Sequence, residues 1–221
     1  MSLTTGTTRT ATEMTEPVYP LLHLSRHRLG TDGVGVTTLA AGAGCPLHCR
    51  WCINARLLRE APAENITAEE LLRRVAVDDL YYRATGGGIT FGGGEALLHA
   101  AFIRRFRELC PSDWRIAVET SLSVPAPALQ EVLGAVDEYI VDCKDLDPAR
   151  YADYTGGDVS LMLGNLQTLL RRVPPAQVLV RVPLIPQYNT PEDQAANAEI
   201  LRAMGVERLD LFPYIIKTKN S

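Results

Sequence analysis

An α/β fold built on a parallel sheet is predicted for this chain of 221 residues by three observations. Strand-type runs alternate with helix-type runs along most of its length, the strand-type runs are nearly continuous in apolar residues, and the residues able to do chemistry gather where those runs end. Continuous apolar strands are what a sheet buried on both faces requires, and an alternating order supplies the helices that cover it.

GVTTLAA (35–41) reads as the first strand of that sheet. ITAEELLRRVAVDDLYY (66–82) reads as a helix, because Thr67 and Glu70 stand in capping-box relation ahead of apolar residues three and four apart. GGITF (87–91) is the second strand and EALLHAAFIRRFREL (95–109) its helix. RIAVET (115–120) precedes the helical PAPALQEVLGAV (125–136), and EYIVDC (138–143) precedes SLMLGNLQTLLRRV (160–173). VLVRVPLI (178–185), PEDQAANAEILRAM (191–204) and RLDLFPY (208–214) complete the pattern. Six units are too few for a closed eight-stranded barrel but enough for a partial (β/α)6 barrel of TIM type, open on one side; a doubly wound open sheet is the rival arrangement. Both put a site at the C-terminal ends of the strands. Residues 1–17, rich in Thr and without apolar period, read as a flexible leader, and residues 18–221 as a single domain.

Composition narrows the function classes. Net charge is -4, and Lys and Arg are spread along the chain rather than massed, so no nucleic-acid footprint is expected. No run approaches the ~18 apolar residues of a membrane span, and the N-terminus lacks the apolar core of an export signal, so a cytoplasmic location is expected. Five cysteines in such a chain argue against a disulfide framework.

Three of those cysteines share one loop. GCPLHCRWC (44–52) places Cys45, Cys49 and Cys52 on C-x3-C-x2-C spacing, whereas Cys110 and Cys143 stand alone and read as small buried apolar residues. Three thiolates suit three irons of a [4Fe-4S] cluster whose fourth iron is left for an incoming ligand. A zinc site completed by His48 or a remote His is the alternative, made awkward because His48 directly precedes Cys49. Trp51, beside Cys52, is either packing or a surface for a flat base. One strand later comes ITFGGGEALL (89–98), where a glycine run between strand and helix lets backbone approach a ligand; Glu95 is by itself equally a helix-start carboxylate.

GCPLHCRWCINA, ITFGGGEALLH, AVETS and YIVDCKDLDPARY, in this order, resemble the radical S-adenosylmethionine (SAM) enzymes, and among them the activating enzymes of glycyl-radical enzymes. The similarity runs from about Leu29 to Tyr214. It implies a partial barrel of six strand-helix units, a [4Fe-4S] cluster on Cys45, Cys49 and Cys52, and SAM as the missing ligand, cleaved reductively to methionine and a 5'-deoxyadenosyl radical. The resemblance sets Trp51 near the adenine, and Gly93, Gly94 and Glu95 at the SAM amino group. It sets Glu119, Thr120 and Asp142 around a monovalent cation, and Lys144 and Arg181 toward the carboxylate or ribose of SAM. It further implies a flavodoxin- or ferredoxin-type electron donor and, as partner, a glycyl-radical enzyme or another protein or peptide substrate.

The chain departs from the activase pattern at Val34 and Thr37, where Pro and Arg are usual, at Ile53-Asn54-Ala55 after the last cysteine, at Ala96, and at Ile215. These positions are expected to face the substrate or the edges of the cofactor pocket, with Val34 and Thr37 on the approach to the barrel mouth. The leading expectation is an enzyme that installs a glycyl radical on a partner. A radical SAM enzyme acting on a peptide or small molecule, and a non-catalytic iron-sulfur or zinc module, are the alternatives.

Overall fold

The computed structural model describes residues 16–215, so residues 1–15 of the leader expected over 1–17 lie outside the described residues. Eight strands form one sheet: β1 (Tyr19–Leu29), β2 (Val36–Gly42), β3 (Glu64–Ile66), β4 (Gly88–Gly93), β5 (Arg115–Thr120), β6 (Glu138–Asp142), β7 (Val178–Leu184) and β8 (Arg208–Pro213). Their spatial order is β3-β1-β2-β4-β5-β6-β7-β8. The strands from β2 to β8 pair parallel and are the six read from the sequence. The sheet does not close.

The helices are α1 (Ala55–Glu60), α2 (Ala68–Val75), α3 (Asp79–Thr85), α4 (Ala100–Leu109), α5 (Ala126–Val132), α6 (Pro148–Thr155), α7 (Val159–Arg172) and α8 (Pro191–Ala203). Pairing register sorts the strand side chains into two faces. Ile89, Phe91, Ile116, Val118, Tyr139, Val141, Val178 and Val180 are buried in one core with Phe102, Phe106, Leu129, Leu166, Leu169 and Leu201 of the helices. Phe91 meets Phe106 edge to face at 5.5 Å and Tyr19 at the same separation. Truncating a ring so placed to Ala costs about 3–5 kcal/mol. The other face carries the polar rows: Glu119 lies level with Ile140 and then Leu179, and Asp142 level with Arg181 and then Asp210.

Three differences from the sequence reading have local causes. β1 and β3 add an antiparallel edge that periodicity does not announce, because only the first half of YPLLHLSRHRL alternates; Tyr19 and Leu21 are buried and the rest is half-buried or exposed. The helix expected over 66–82 is broken by a 3-10 turn at Ala76–Asp78. There the buried Asp78 accepts hydrogen bonds from Arg26 Nε at 2.7 Å and from Thr38 Oγ1 at 3.2 Å, and this anchor to the sheet bends the chain. At the start of α2 the Thr67 side chain accepts from the Glu70 amide as expected, but the Glu70 carboxylate turns to Arg74 at 2.8 Å instead of reaching back. The third difference is α6, whose Asp147 cap and Pro148 are start signals, although its eight residues are too few for a clear apolar period.

Candidate functional site

The cysteine loop leaves the C-terminal end of β2 and is held from three sides. The His48 and Arg50 amides donate to the Thr155 and Tyr154 carbonyls at 2.7 and 3.0 Å, which ties the loop to the end of α6. The Tyr214 hydroxyl donates to the Trp51 carbonyl, tying it to the chain beyond β8. Asn54 Nδ2 donates to the Gly93 carbonyl at 2.7 Å, tying it to β4. His48 itself is exposed.

Glycines 92–94 have a packing duty that the sequence does not reveal. A Cβ on Gly94 would stand 2.0 Å from the Gly44 carbonyl oxygen, and one on Gly93, whose φ is +91°, would stand 2.8 Å from Ala41. The Gly94 and Glu95 amides donate to the Gly42 and Gly44 carbonyls at 3.0 and 2.9 Å. The run therefore lets the β4 turn lie directly on the base of the cysteine loop, with no side chain between them.

Around this junction opens a cavity of about 660 Å³, lined by Cys45, Cys49, Cys52, Trp51, Asn54 and Gly93–Glu95 toward the strand C-termini. Glu119, Thr120, Asp142, Lys144 and Arg181 line it further along. The structure thus brings every residue expected at the cluster, SAM or the cation to one cavity. Cys110 and Cys143 are buried in the core, away from it.

The three thiols line one wall. Burial pushes the Cys45 thiol upward, and pushes Cys49 up to about 11 against the pull of the Lys144 ammonium. Uncompensated thiolates are unfavourable in such a place, so a positively charged metal centre is the natural counterpart of the loop. Among the described residues no three His, Cys, Asp or Glu side chains form a group that could hold a single metal ion. Trp51 adds an indole N–H that is buried and has no partner among the described residues.

The Glu95 carboxylate is held by protein donors. Expected to meet the SAM ammonium, Glu95 is 2% exposed and its carboxylate oxygens are already engaged. Oε1 accepts from Thr120 Oγ1 at 2.6 Å and from the Leu97 amide at 3.1 Å, and Oε2 from the Ser121 amide at 2.8 Å and Ser121 Oγ at 2.6 Å. Four donors fill the four lone-pair sites of a carboxylate. Burial raises its pKa while these donors pull the other way. The group pins the turn after β5, where Leu122 is held at φ +55°, a conformation that costs an L residue about 1–2 kcal/mol. Asn165 Nδ2 secures the same turn by donating to the Leu122 and Val124 carbonyls at 2.8 Å. Asn165 carries no motif, so nothing local marks it in the sequence.

The expected cation set also divides. Thr120 and Glu119 are successive strand residues and face opposite sides of β5, and the Thr120 hydroxyl is spent on Glu95. Glu119 accepts from Arg181 Nη1 at 2.9 Å, and Asp142 accepts from Lys144 Nζ at 2.9 Å. Burial raises the Glu119 pKa to about 7 even with the Arg181 guanidinium pulling it down. Burial pulls the Lys144 ammonium down, and Asp142 and Cys49 more than offset this, so its pKa ends above the usual lysine value. Arg181 also donates to the Thr31 carbonyl, so its guanidinium braces the turn between β1 and β2 rather than projecting freely toward a ligand.

That turn corrects the expectation for Val34 and Thr37. Thr37 opens β2 level with Gly88, the first residue of β4, and Val34 is an exposed turn residue just before it. Both lie at the N-terminal ends of the parallel strands, opposite the cysteine loop, because the β1–β2 connection is antiparallel and returns the chain there. Of this turn only Gly30, Thr31 and Asp32 line the cavity, as its floor. The departures that do lie at the mouth are Ile53 and Ile215, 80% and 77% exposed and both on the cavity rim. Ala96 is buried.

An open parallel barrel with three thiols, a glycine-rich turn and paired charges around one cavity has the donor set that suits an iron-sulfur cluster beside an organic cofactor. A family model described as the Radical SAM superfamily matches residues 40–198, and the chain belongs to that superfamily of enzymes. It is 33% identical to the benzylsuccinate synthase activating enzyme of Thauera aromatica, over 83% of this chain and 75% of that one. It is 28% identical to the pyruvate formate-lyase 2-activating enzyme of Escherichia coli (strain K12), over 90% of this chain and 78% of that one. In fold it is similar to SuiB of Streptococcus suis bound to S-adenosylmethionine, with a TM-score of 0.62 at 11% identity, over 80% of this chain and 39% of that one. A further likeness, to anSMEcpe with bound AdoMet, has a TM-score of 0.59 at 16% identity, over 80% of this chain and 49% of that one. Membership implies a [4Fe-4S] cluster and SAM, with reductive cleavage of SAM to a 5'-deoxyadenosyl radical as the family reaction. Among the described residues no helix is long and apolar enough to cross a membrane.

Proposed function

We propose that this enzyme installs a glycyl radical on a partner protein, with Cys45, Cys49 and Cys52 as the cluster ligands. The observation that carries the site is the common wall of three thiols beside the Gly93–Glu95 backbone, joined through the Asn54–Gly93 hydrogen bond. The activating-enzyme relatives support the choice of partner.

The cluster and SAM together supply one-electron cleavage of a C–S bond; the chain's own residues bind, orient and exclude water. Backbone of the Gly93–Glu95 turn takes the SAM amino group, since the Glu95 carboxylate is occupied. Trp51 offers its ring to the adenine and its indole N–H to a polar atom of the ligand. Lys144, which has donors to spare beyond Asp142, meets the SAM carboxylate. Arg181 acts one step back, holding Glu119 and the floor of the cavity. A flavodoxin- or ferredoxin-type protein delivers the electron.

The test is anaerobic: cluster-loaded protein is mixed with reductant, SAM and, in separate samples, pyruvate formate-lyase or benzylsuccinate synthase. 5'-Deoxyadenosine is quantified and the partner is examined by electron paramagnetic resonance. A glycyl doublet together with 5'-deoxyadenosine is the expected result with at least one partner. SAM cleavage with no partner radical overturns the choice of substrate, and no SAM cleavage overturns the site.

A further inference from the structure

We infer that SAM binding in this chain needs no monovalent cation, because the two carboxylates that would coordinate one are already paired with resident side-chain cations. The inference rests on the SAM-binding reading above and concerns the charge balance of the same cavity.

Three observations carry it. Glu119 accepts from Arg181 Nη1 and Asp142 from Lys144 Nζ, each at 2.9 Å, so each carboxylate has its own counter-ion in charge-assisted contact. These pairs are well shielded: the Arg181, Lys144 and Glu119 side chains are 17%, 18% and 21% exposed, so solvent does little to loosen them. The Thr120 hydroxyl, expected as a further oxygen ligand, donates to Glu95 at 2.6 Å and accepts from the Leu122 amide at 2.9 Å, which holds it to the turn after β5.

The architecture makes the pairing a property of the sheet and not of one rotamer. Asp142 and Arg181 are register partners on β6 and β7, and Asp142 acts electrostatically on both Arg181 and Glu119. Glu119 and Asp142 therefore each face a fixed cation across neighbouring strands, while Asp210 shares Arg181 at 3.9 Å and Arg28 pairs with Asp32 beside them. SAM itself brings two positive groups, ammonium and sulfonium, against one carboxylate. An alkali ion would lie beside a ligand of net positive charge and compete with Lys144 and Arg181 for the same two carboxylates, which is unfavourable in a partly desolvated cavity. A hard cation also wants several oxygens, and displacing Arg181 to free Glu119 would strip the Thr31 carbonyl of its donor and loosen the cavity floor.

SAM affinity of the cluster-loaded protein, measured by equilibrium dialysis of labelled SAM, tests this without recourse to turnover. One buffer holds tetraethylammonium as its sole bulk cation, and the other holds potassium or sodium at the same ionic strength. The expected result is a Kd that agrees between buffers within about twofold, and a tightening of tenfold or more in potassium or sodium overturns the inference alone. Absence of SAM binding in every buffer overturns it together with the reading on which it rests. Lys144→Met sharpens the comparison by leaving Asp142 without its ammonium: binding becomes weaker overall and at least about fivefold tighter with potassium than without. A Lys144→Met protein that binds SAM equally in all buffers overturns the assignment of Lys144 as the stand-in. Should that variant fail to fold, the parent measurement decides.

Discussion

Asn54 Nδ2 and the Gly93 carbonyl, 2.7 Å apart, join the cysteine loop to the glycine-rich turn across 39 residues of sequence. The bond fixes the separation of two segments that must act on one ligand, and it uses a residue at which the chain leaves the usual activase pattern on both sides, at Ile53 and Ala55. Asn54→Ala is expected to keep full iron content, since all three thiols remain. A lost hydrogen bond of about 1 kcal/mol corresponds to SAM binding weakened roughly fivefold. Iron analysis beside a SAM titration checks it; unchanged affinity would reduce Asn54 to a surface contact.

The cysteines separate into two groups with opposite outcomes. Replacing Cys45, Cys49 or Cys52 by Ala is expected to abolish a stable [4Fe-4S] cluster and with it SAM cleavage, because only these three share the cavity wall. Cys110→Ala and Cys143→Ala are expected to load normally; both sites are buried, so any change appears as lowered stability of about 1 kcal/mol from the lost packing. Iron and sulfide counts with the visible absorption of the cluster decide between these outcomes.

Glu95→Gln is expected to act first on stability. The amide nitrogen brings N–H groups to a place where the Thr120 hydroxyl, the Ser121 hydroxyl and two backbone amides all donate, so at least one buried donor loses its acceptor. The cost is about 1–3 kcal/mol, read as a lower denaturation midpoint in protein without cluster. A variant as stable as the parent but weak in SAM binding would return the carboxylate to direct ligand contact.

The Glu119 carboxyl sets a pH dependence whose sign follows from its raised pKa. The unfolded chain ionises this group near its ordinary 4.5, the folded chain only near 7. Between those values the folded state holds the extra proton, so stability is greatest below about 4.5 and falls as pH rises to 7. With 21% of the side chain exposed, the loss is on the order of 2 kcal/mol, less than the full shift would give. Denaturation of cluster-free protein across this range is expected to show a flatter profile for Glu119→Gln than for the parent. Parallel profiles would mean that Arg181 keeps the group ionised throughout.

By itself the sequence determined the six parallel strands, the order of their helices and the membership of the cysteine loop and GGGE turn in one site. Those features are local: apolar runs and 3.6-residue periods are written in neighbouring residues, and C-x3-C-x2-C needs no fold to be recognised. Only the tertiary structure decided which carboxylates are free. Glu95 is filled by Thr120 and Ser121 from the next strand, Glu119 is paired with Arg181 from a strand 62 residues further on, and Val34 and Thr37 lie at the barrel's other end. Hydrogen-bond saturation and the direction of a strand are set by partners distant in sequence, and a motif names a donor or an acceptor without saying what already occupies it.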